Sequence, residues 1–132
     1  MSRSGYDNWE CDWYTVMWRG AVKSAFRGRR GQAFLREMLT ALDRLPEKRL
    51  TKNKLEIDGE VCALGALGRD RGLDMSQIDS EDPDTVASQF DVARAMACEI
   101  MFENDEGASD WWEETPEQRF SRMRAWVASN IK

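Results

Sequence analysis

Phe34-Leu35-Arg36-Glu37-Met38-Leu39-Thr40-Ala41-Leu42-Asp43-Arg44-Leu45-Pro46 is the segment that decides the fold. Its apolar residues at 34, 35, 38, 39, 42 and 45 recur at steps of three and four, the spacing that lays one stripe along an α-helix. Pro46 cannot continue the ladder and restricts the residue before it, so the helix ends there. The composition agrees: Ala, Leu, Met, Glu, Arg, Lys and Gln total 64 residues, against 10 for Val and Ile together. Helix formers therefore far outnumber the β-branched residues that strands prefer.

Working outward, a helix starts after Asp7 or Asn8, either of which can cap it, and runs towards Phe26. Its aromatics fall on two adjacent stripes, which marks it as a central helix. Gly28-Arg29-Arg30-Gly31 breaks the chain before the helix at 34. Between Glu47 and Asp58 the pattern fits a short strand or an irregular linker. Asp58-Gly59 suits either the start of a short helix carrying Val61, Cys62, Leu64 and Leu67 or a hairpin turn. The scarcity of β-branched residues after it favours the helix, ending near Gly72. Asp82-Pro83 reads as a cap followed by proline at the first helical position, opening a helix to Phe90. After a turn at Asp91 comes a helix bearing Val92, Ala95, Met96, Ile100 and Phe102, then an acidic loop from Glu103 to Asp110. Thr115-Pro116-Glu117-Gln118 is a capping box introducing a last helix with Phe120, Met123, Trp126 and Val127 on one face.

The expectation is one all-α domain over residues 1–132, compact, with five to six helices and room for an irregular or hairpin segment near residues 48–60. Its core should include Leu35, Leu39, Leu42, Leu64, Ile100, Met123 and Trp126. The length of 132 residues suits a single domain. No apolar run reaches the roughly 20 residues of a membrane span, and no secretory signal opens the chain. Cys11, Cys62 and Cys98 are odd in number and show no metal or redox spacing, which suggests buried free thiols in a reducing cytoplasm.

Function is written faintly. Histidine is absent, which removes His metal ligands and the commonest catalytic base. No phosphate-binding loop, dinucleotide fingerprint or nucleophile elbow occurs. The sequence thus points away from an enzyme, and no cofactor or metal is expected. The run from Thr85 to Arg94 has the cadence of a helix-turn-helix, but its second helix offers one arginine in the most acidic part of the chain.

Charge is the informative feature. Residues 1–54 carry 12 basic and 6 acidic side chains, net +6, and residues 55–132 carry 7 and 18, net −11. Carboxylates should stay exposed from Asp79 to Asp84 and from Glu103 to Glu114. Asp110-Trp111-Trp112-Glu113-Glu114 combines adjacent tryptophans with acids, the composition of an interface anchor inside a charged rim. These five residues are the expected contact surface for a protein with a basic face. Arg27, Arg29 and Arg30 form a candidate anion-binding or self-association patch, the latter implying a homodimer. Nucleic-acid association through Arg27–Arg30 is the alternative function.

Four runs carry a resemblance: Met17-Trp18-Arg19-Gly20-Ala21-Val22-Lys23-Ser24-Ala25, Arg30-Gly31-Gln32-Ala33-Phe34-Leu35-Arg36-Glu37, Gly59-Glu60-Val61-Cys62-Ala63-Leu64-Gly65 and Glu114-Thr115-Pro116-Glu117-Gln118-Arg119. Across nearly the whole chain the sequence resembles a family of small uncharacterised proteins encoded by tailed bacteriophages and prophages of proteobacteria. The resemblance implies a phage context, in which small acidic proteins act by binding host factors, such as a nuclease or a defence complex. It implies no catalytic or binding residue by position.

Overall fold

The computed structural model describes Arg3 and residues 12–108 and 113–132. These residues form six α-helices, α1 Asp12–Arg27, α2 Arg29–Arg44, α3 Ala63–Arg71, α4 Pro83–Phe90, α5 Arg94–Glu106 and α6 Pro116–Asn130. A 3₁₀ turn at Met75–Gln77 and a hairpin of two-residue strands, β1 Glu56–Ile57 and β2 Glu60–Val61, complete the set. The fold is all-α in character.

The core is one cluster of buried apolar residues drawn from α1 through α6. Its centre is α3, whose residues from Ala63 to Gly68 are all buried. A helix apolar all round belongs in the interior, and small residues let its neighbours close in. A Cβ on Gly65 would stand 2.0 Å from the Leu55 carbonyl oxygen, and one on Gly68 would meet Met75 and Phe90. The first helix, expected to be central, is peripheral in its described part: Met17 is 55% exposed, Val22 half-buried, and Phe26 alone buried.

α2 packs on both α3 and α6. Phe34, Leu35, Met38, Ala41 and Leu42 are buried, whereas Leu39 and Trp126, expected in the core, are only partly covered at its edge. The helix stops where Pro46 requires, with Leu45 extended at φ −60° and ψ 131°. Its start differs from expectation. Gly28 alone interrupts the chain, and Arg29, Arg30 and Gly31 are already helical. Gly31 is there for contact: a Cβ on it would stand 1.8 Å from the Ala25 carbonyl oxygen. That close approach closes the α1–α2 hairpin.

Asp58-Gly59 is the hairpin turn, with φ +52° and +80° at the two positions, the left-handed pair such two-residue loops need. The helix expected nearby also forms, but Cys62 caps it, its sulfur accepting the Gly65 amide at 3.4 Å. Gly72 ends it with φ +77°. Asp82 and the Thr115–Gln118 capping box open α4 and α6 as their sequences specify. Val92 lies in the α4–α5 turn, and α5 continues through Glu106, so Glu103 to Glu106 is helix rather than loop.

Candidate functional site

Of the expected contact residues, Asp110, Trp111 and Trp112 lie outside the described residues. Glu113 is exposed. Glu114 works inside the fold, with its side chain only 10% exposed. It receives Arg122 Nε at 2.6 Å and Nη2 at 3.0 Å, a two-pronged pair, and lies 3.2 Å from Arg119 Nε. Arg119 is itself buried and donates to the Leu50 carbonyl at 2.8 Å. Arg122 also donates to the carbonyls of Glu103 at 2.6 Å and Asn104 at 3.1 Å, the free end of α5. A buried arginine needs a compensating charge, and Glu114 supplies it for Arg119 while also pairing with the half-buried Arg122.

The carboxylates at the end of α5 are drawn inward as well. Asp105 pairs with Arg3 at 2.6 and 2.9 Å, both side chains nearly inaccessible. Asn104, 1% exposed, accepts the Ala63 amide at 3.0 Å and donates to Thr51 and Asp105. Burial, then the neighbouring Glu99 charge, pushes the Glu103 carboxyl above its ordinary range. Of the carboxylates expected on the surface from Glu103 to Glu114, Glu103, Asp105 and Glu114 are spent on internal pairing, whereas Glu106 and Glu113 are exposed.

Between Asp74 and Asp84 the carboxylates Asp74, Asp79, Glu81 and Asp84 remain outside, while Met75 and Ile78 between them are buried. Asp74, Asp79 and Asp82 each accept a backbone amide two residues on, at 3.0–3.1 Å, so their backbones are locked while Asp74, Asp79 and Glu81 stay exposed. Hydrogen bonds from Thr85 hold the Asp82 carboxyl below its usual range. Asp84 pairs with Arg94 at 2.8 Å. Asp79 and Glu81 have no ion-pair partner among the described residues.

The expected arginine patch is split. Arg30 donates to Asp91, to the carboxylate at 2.8 Å and the carbonyl at 3.0 Å, on an exposed surface where such a pair contributes well under about 1 kcal/mol. Arg27 and Arg29 are exposed and have no ion-pair partner among the described residues. Arg27 instead belongs to a row with Arg19 and Lys23, four residues apart on α1 and all exposed. The row borders a cleft of 370 Å³ between α1, the start of α2 and the end of α6. Val22, Phe26 and Trp126 line its wall, and Lys23, Arg27 and Lys132 its rim. Phe26 and Trp126 meet edge to face, 5.6 Å between centroids.

Buried Gln32 holds this cleft together. Its Nε2 donates to the carbonyls of Phe26 at 2.8 Å and Asn130 at 3.0 Å, and its Oε1 accepts the Lys132 amide at 2.8 Å. The sequence marks it only as a polar residue beside a glycine at the start of an amphipathic helix.

The helix-turn-helix cadence corresponds to α4 and α5, which pack on each other. Met96, Ala97, Cys98 and Ile100 are buried, and the outward face of α5 offers Arg94, paired with Asp84, beside the acids Glu99 and Glu106, a poor surface for phosphates. Burial pushes the Cys98 thiol up to about 11, and Cys62 is buried too. Among the described residues no three Cys, Asp or Glu side chains gather to hold a metal ion, and no helix is long and apolar enough to cross a membrane. No family model, curated protein or solved structure matches the chain.

Proposed function

We propose that the protein is a phage-type, stoichiometric protein-binding module, acting in the cytoplasm of a bacterial host by occupying a basic surface rather than by chemistry. One observation carries the reading: Glu103, Asp105 and Glu114 are drawn inward by Arg3, Arg119 and Arg122, while Asp74, Asp79 and Glu81 face solvent. Exposed carboxylates without an ion-pair partner among the described residues steer a basic partner and speed its encounter. A host nuclease or defence complex presents such a surface in its nucleic-acid groove. The Asp110-Trp111-Trp112-Glu113 run supplies apolar anchors of the type that dominate interfaces.

The test is affinity capture from the bacterial host, then association kinetics of the purified pair at two ionic strengths. The Asp79→Lys/Glu81→Lys protein should associate at least about tenfold more slowly at low salt, with the difference shrinking as salt rises. Equal association rates for wild type and variant would sink the acidic face. Arg27 and Arg29, exposed and without an ion-pair partner among the described residues, favour a second reading, association with nucleic acid. A labelled oligonucleotide that is not retarded at low salt removes it.

A further inference from the structure

We infer that the cleft between α1, α2 and α6 is a second binding site, made for an acidic peptide segment that carries one large apolar anchor residue. The inference rests on reading the protein as a binding module, but on a different face from the acidic strip and with the opposite charge preference.

The wall and the rim ask for two different things of a ligand. Val22, Phe26 and Trp126 offer apolar surface in a recess of 370 Å³, room for one bulky side chain together with its backbone. Lys23, Arg27 and Lys132 stand around it as cations, and Arg19 extends the row by another turn of α1. The Arg19–Arg27 row spans about 12 Å at the helical rise, the reach of a few residues of extended peptide. Arg36 donates to the Lys132 carbonyl at 2.8 Å, which adds a cation beside the rim. Acidic residues flanking an apolar anchor satisfy both demands at once, with the anchor removed from water and the charges left at the solvated edge.

A nucleic-acid strand fits less well. Sequence-independent strand binding needs open aromatic faces on which successive bases stack. Here Phe26 is buried and its ring lies at 71° to that of Trp126, so the pair presents a corner. The chain as a whole carries −5, a field that opposes a long polyanion more than a short peptide, whereas Glu99, which also lines the cleft, faces either ligand alike and is outnumbered there by Lys23, Arg27 and Lys132. The floor is built, since Gln32 bonds Phe26, Asn130 and Lys132 from below, so the recess exists before a ligand arrives.

The experiment uses the whole chain, immobilised, to select from a displayed library of random heptapeptides. The best sequence is then made as a fluorescent peptide and titrated by polarisation. Enriched peptides should place Asp or Glu on both sides of Phe, Trp or Leu. Replacing that anchor by Ala, or charge reversal in Lys23→Glu/Arg27→Glu, should each weaken binding about tenfold or more. Ser129→Trp, which fills the cleft and leaves its charges alone, should do the same. Asp79→Lys/Glu81→Lys should leave peptide binding unchanged even where it slows association with a captured partner, so the two sites fail separately. No enrichment, an enriched peptide that binds the Lys23→Glu/Arg27→Glu protein as tightly as wild type, or an oligothymidine of equal charge that outcompetes the peptide would each overturn the proposal.

Discussion

Gln32 grips Lys132 across 100 positions of sequence, its Oε1 accepting the Lys132 amide at 2.8 Å. Its amide nitrogen joins two further carbonyls, so one buried side chain ties the end of α1, the start of α2 and the end of α6. Gln32→Ala removes all three bonds and strands the Phe26 and Asn130 carbonyls, a cost of about 2–3 kcal/mol. Urea unfolding should show a lower midpoint with an unchanged slope. A midpoint equal to wild type would mean that the tie carries no stability.

The glycines of α1, α2 and α3 should separate by contact. A methyl group on Gly20 would meet nothing within 4 Å among the described residues, and α1 surrounds the position with helix, so Gly20→Ala should stabilise by about 0.5–1 kcal/mol. Gly31→Ala and Gly65→Ala drive a methyl into the Ala25 and Leu55 carbonyls and should cost about 3 kcal/mol or more. The same substitution thus changes sign along the chain, and thermal denaturation of the three proteins reads it directly.

The legible parts of this fold are those decided within a few residues. The Thr115–Gln118 box forms as two reciprocal bonds, Gln118 N to Thr115 Oγ1 at 3.1 Å and Thr115 N to Gln118 Oε1 at 2.9 Å. Asp82-Pro83 and Leu45-Pro46 set boundaries by equally local chemistry. Gly31 reads as a break because a contact glycine and a turn glycine look alike until the neighbouring helix is in place. Leu39 and Trp126 share the apolar spacing of core residues, yet their stripe edges meet solvent. Arg3, Asn104 and Gln32 are invisible in the sequence because they bind partners tens of residues away, whereas Glu114 pairs with nearby Arg119 and Arg122 but is turned inward only because those arginines also reach Leu50 and the end of α5. The surplus of charge in each half is legible, but which carboxylates remain outside is settled by buried arginines.

Glu114 offers a way to tell an internal ion pair from a contact residue. Glu114→Ala leaves Arg119 buried without its carboxylate and Arg122 without its two-pronged partner, a loss of about 3–5 kcal/mol. Glu113→Ala, on the exposed neighbour, should stay within about 0.5 kcal/mol of wild type. Denaturant titration of both variants checks this. A Glu114→Ala protein as stable as wild type would return Glu114 to the surface.

Two glutamates should bend the pH dependence of stability in opposite directions. Arg71 donates two hydrogen bonds of 2.7 Å to Glu37 and holds its carboxyl below the ordinary range. The folded state therefore binds that proton less readily than the unfolded chain. Its contribution is present above the unfolded pKa and is lost as pH falls through the folded one. Both partners are partly exposed, so solvent screening keeps the effect small. Glu103 is the reverse case. Burial, reinforced by Glu99, raises its carboxyl, so the folded state holds the proton more readily, and stability falls as pH rises towards the folded pKa. Ionised Glu103 consequently weighs against folding at neutral pH. Glu103→Gln should stabilise at neutral pH, with the gain vanishing as pH drops below the normal glutamate range. Glu37→Gln should destabilise at neutral pH, with the loss vanishing in acid. Urea midpoints of the three proteins from neutral pH down to about pH 3 decide the matter. If the Glu103→Gln difference grows in acid, its carboxyl lies below the ordinary range and burial is not what controls it.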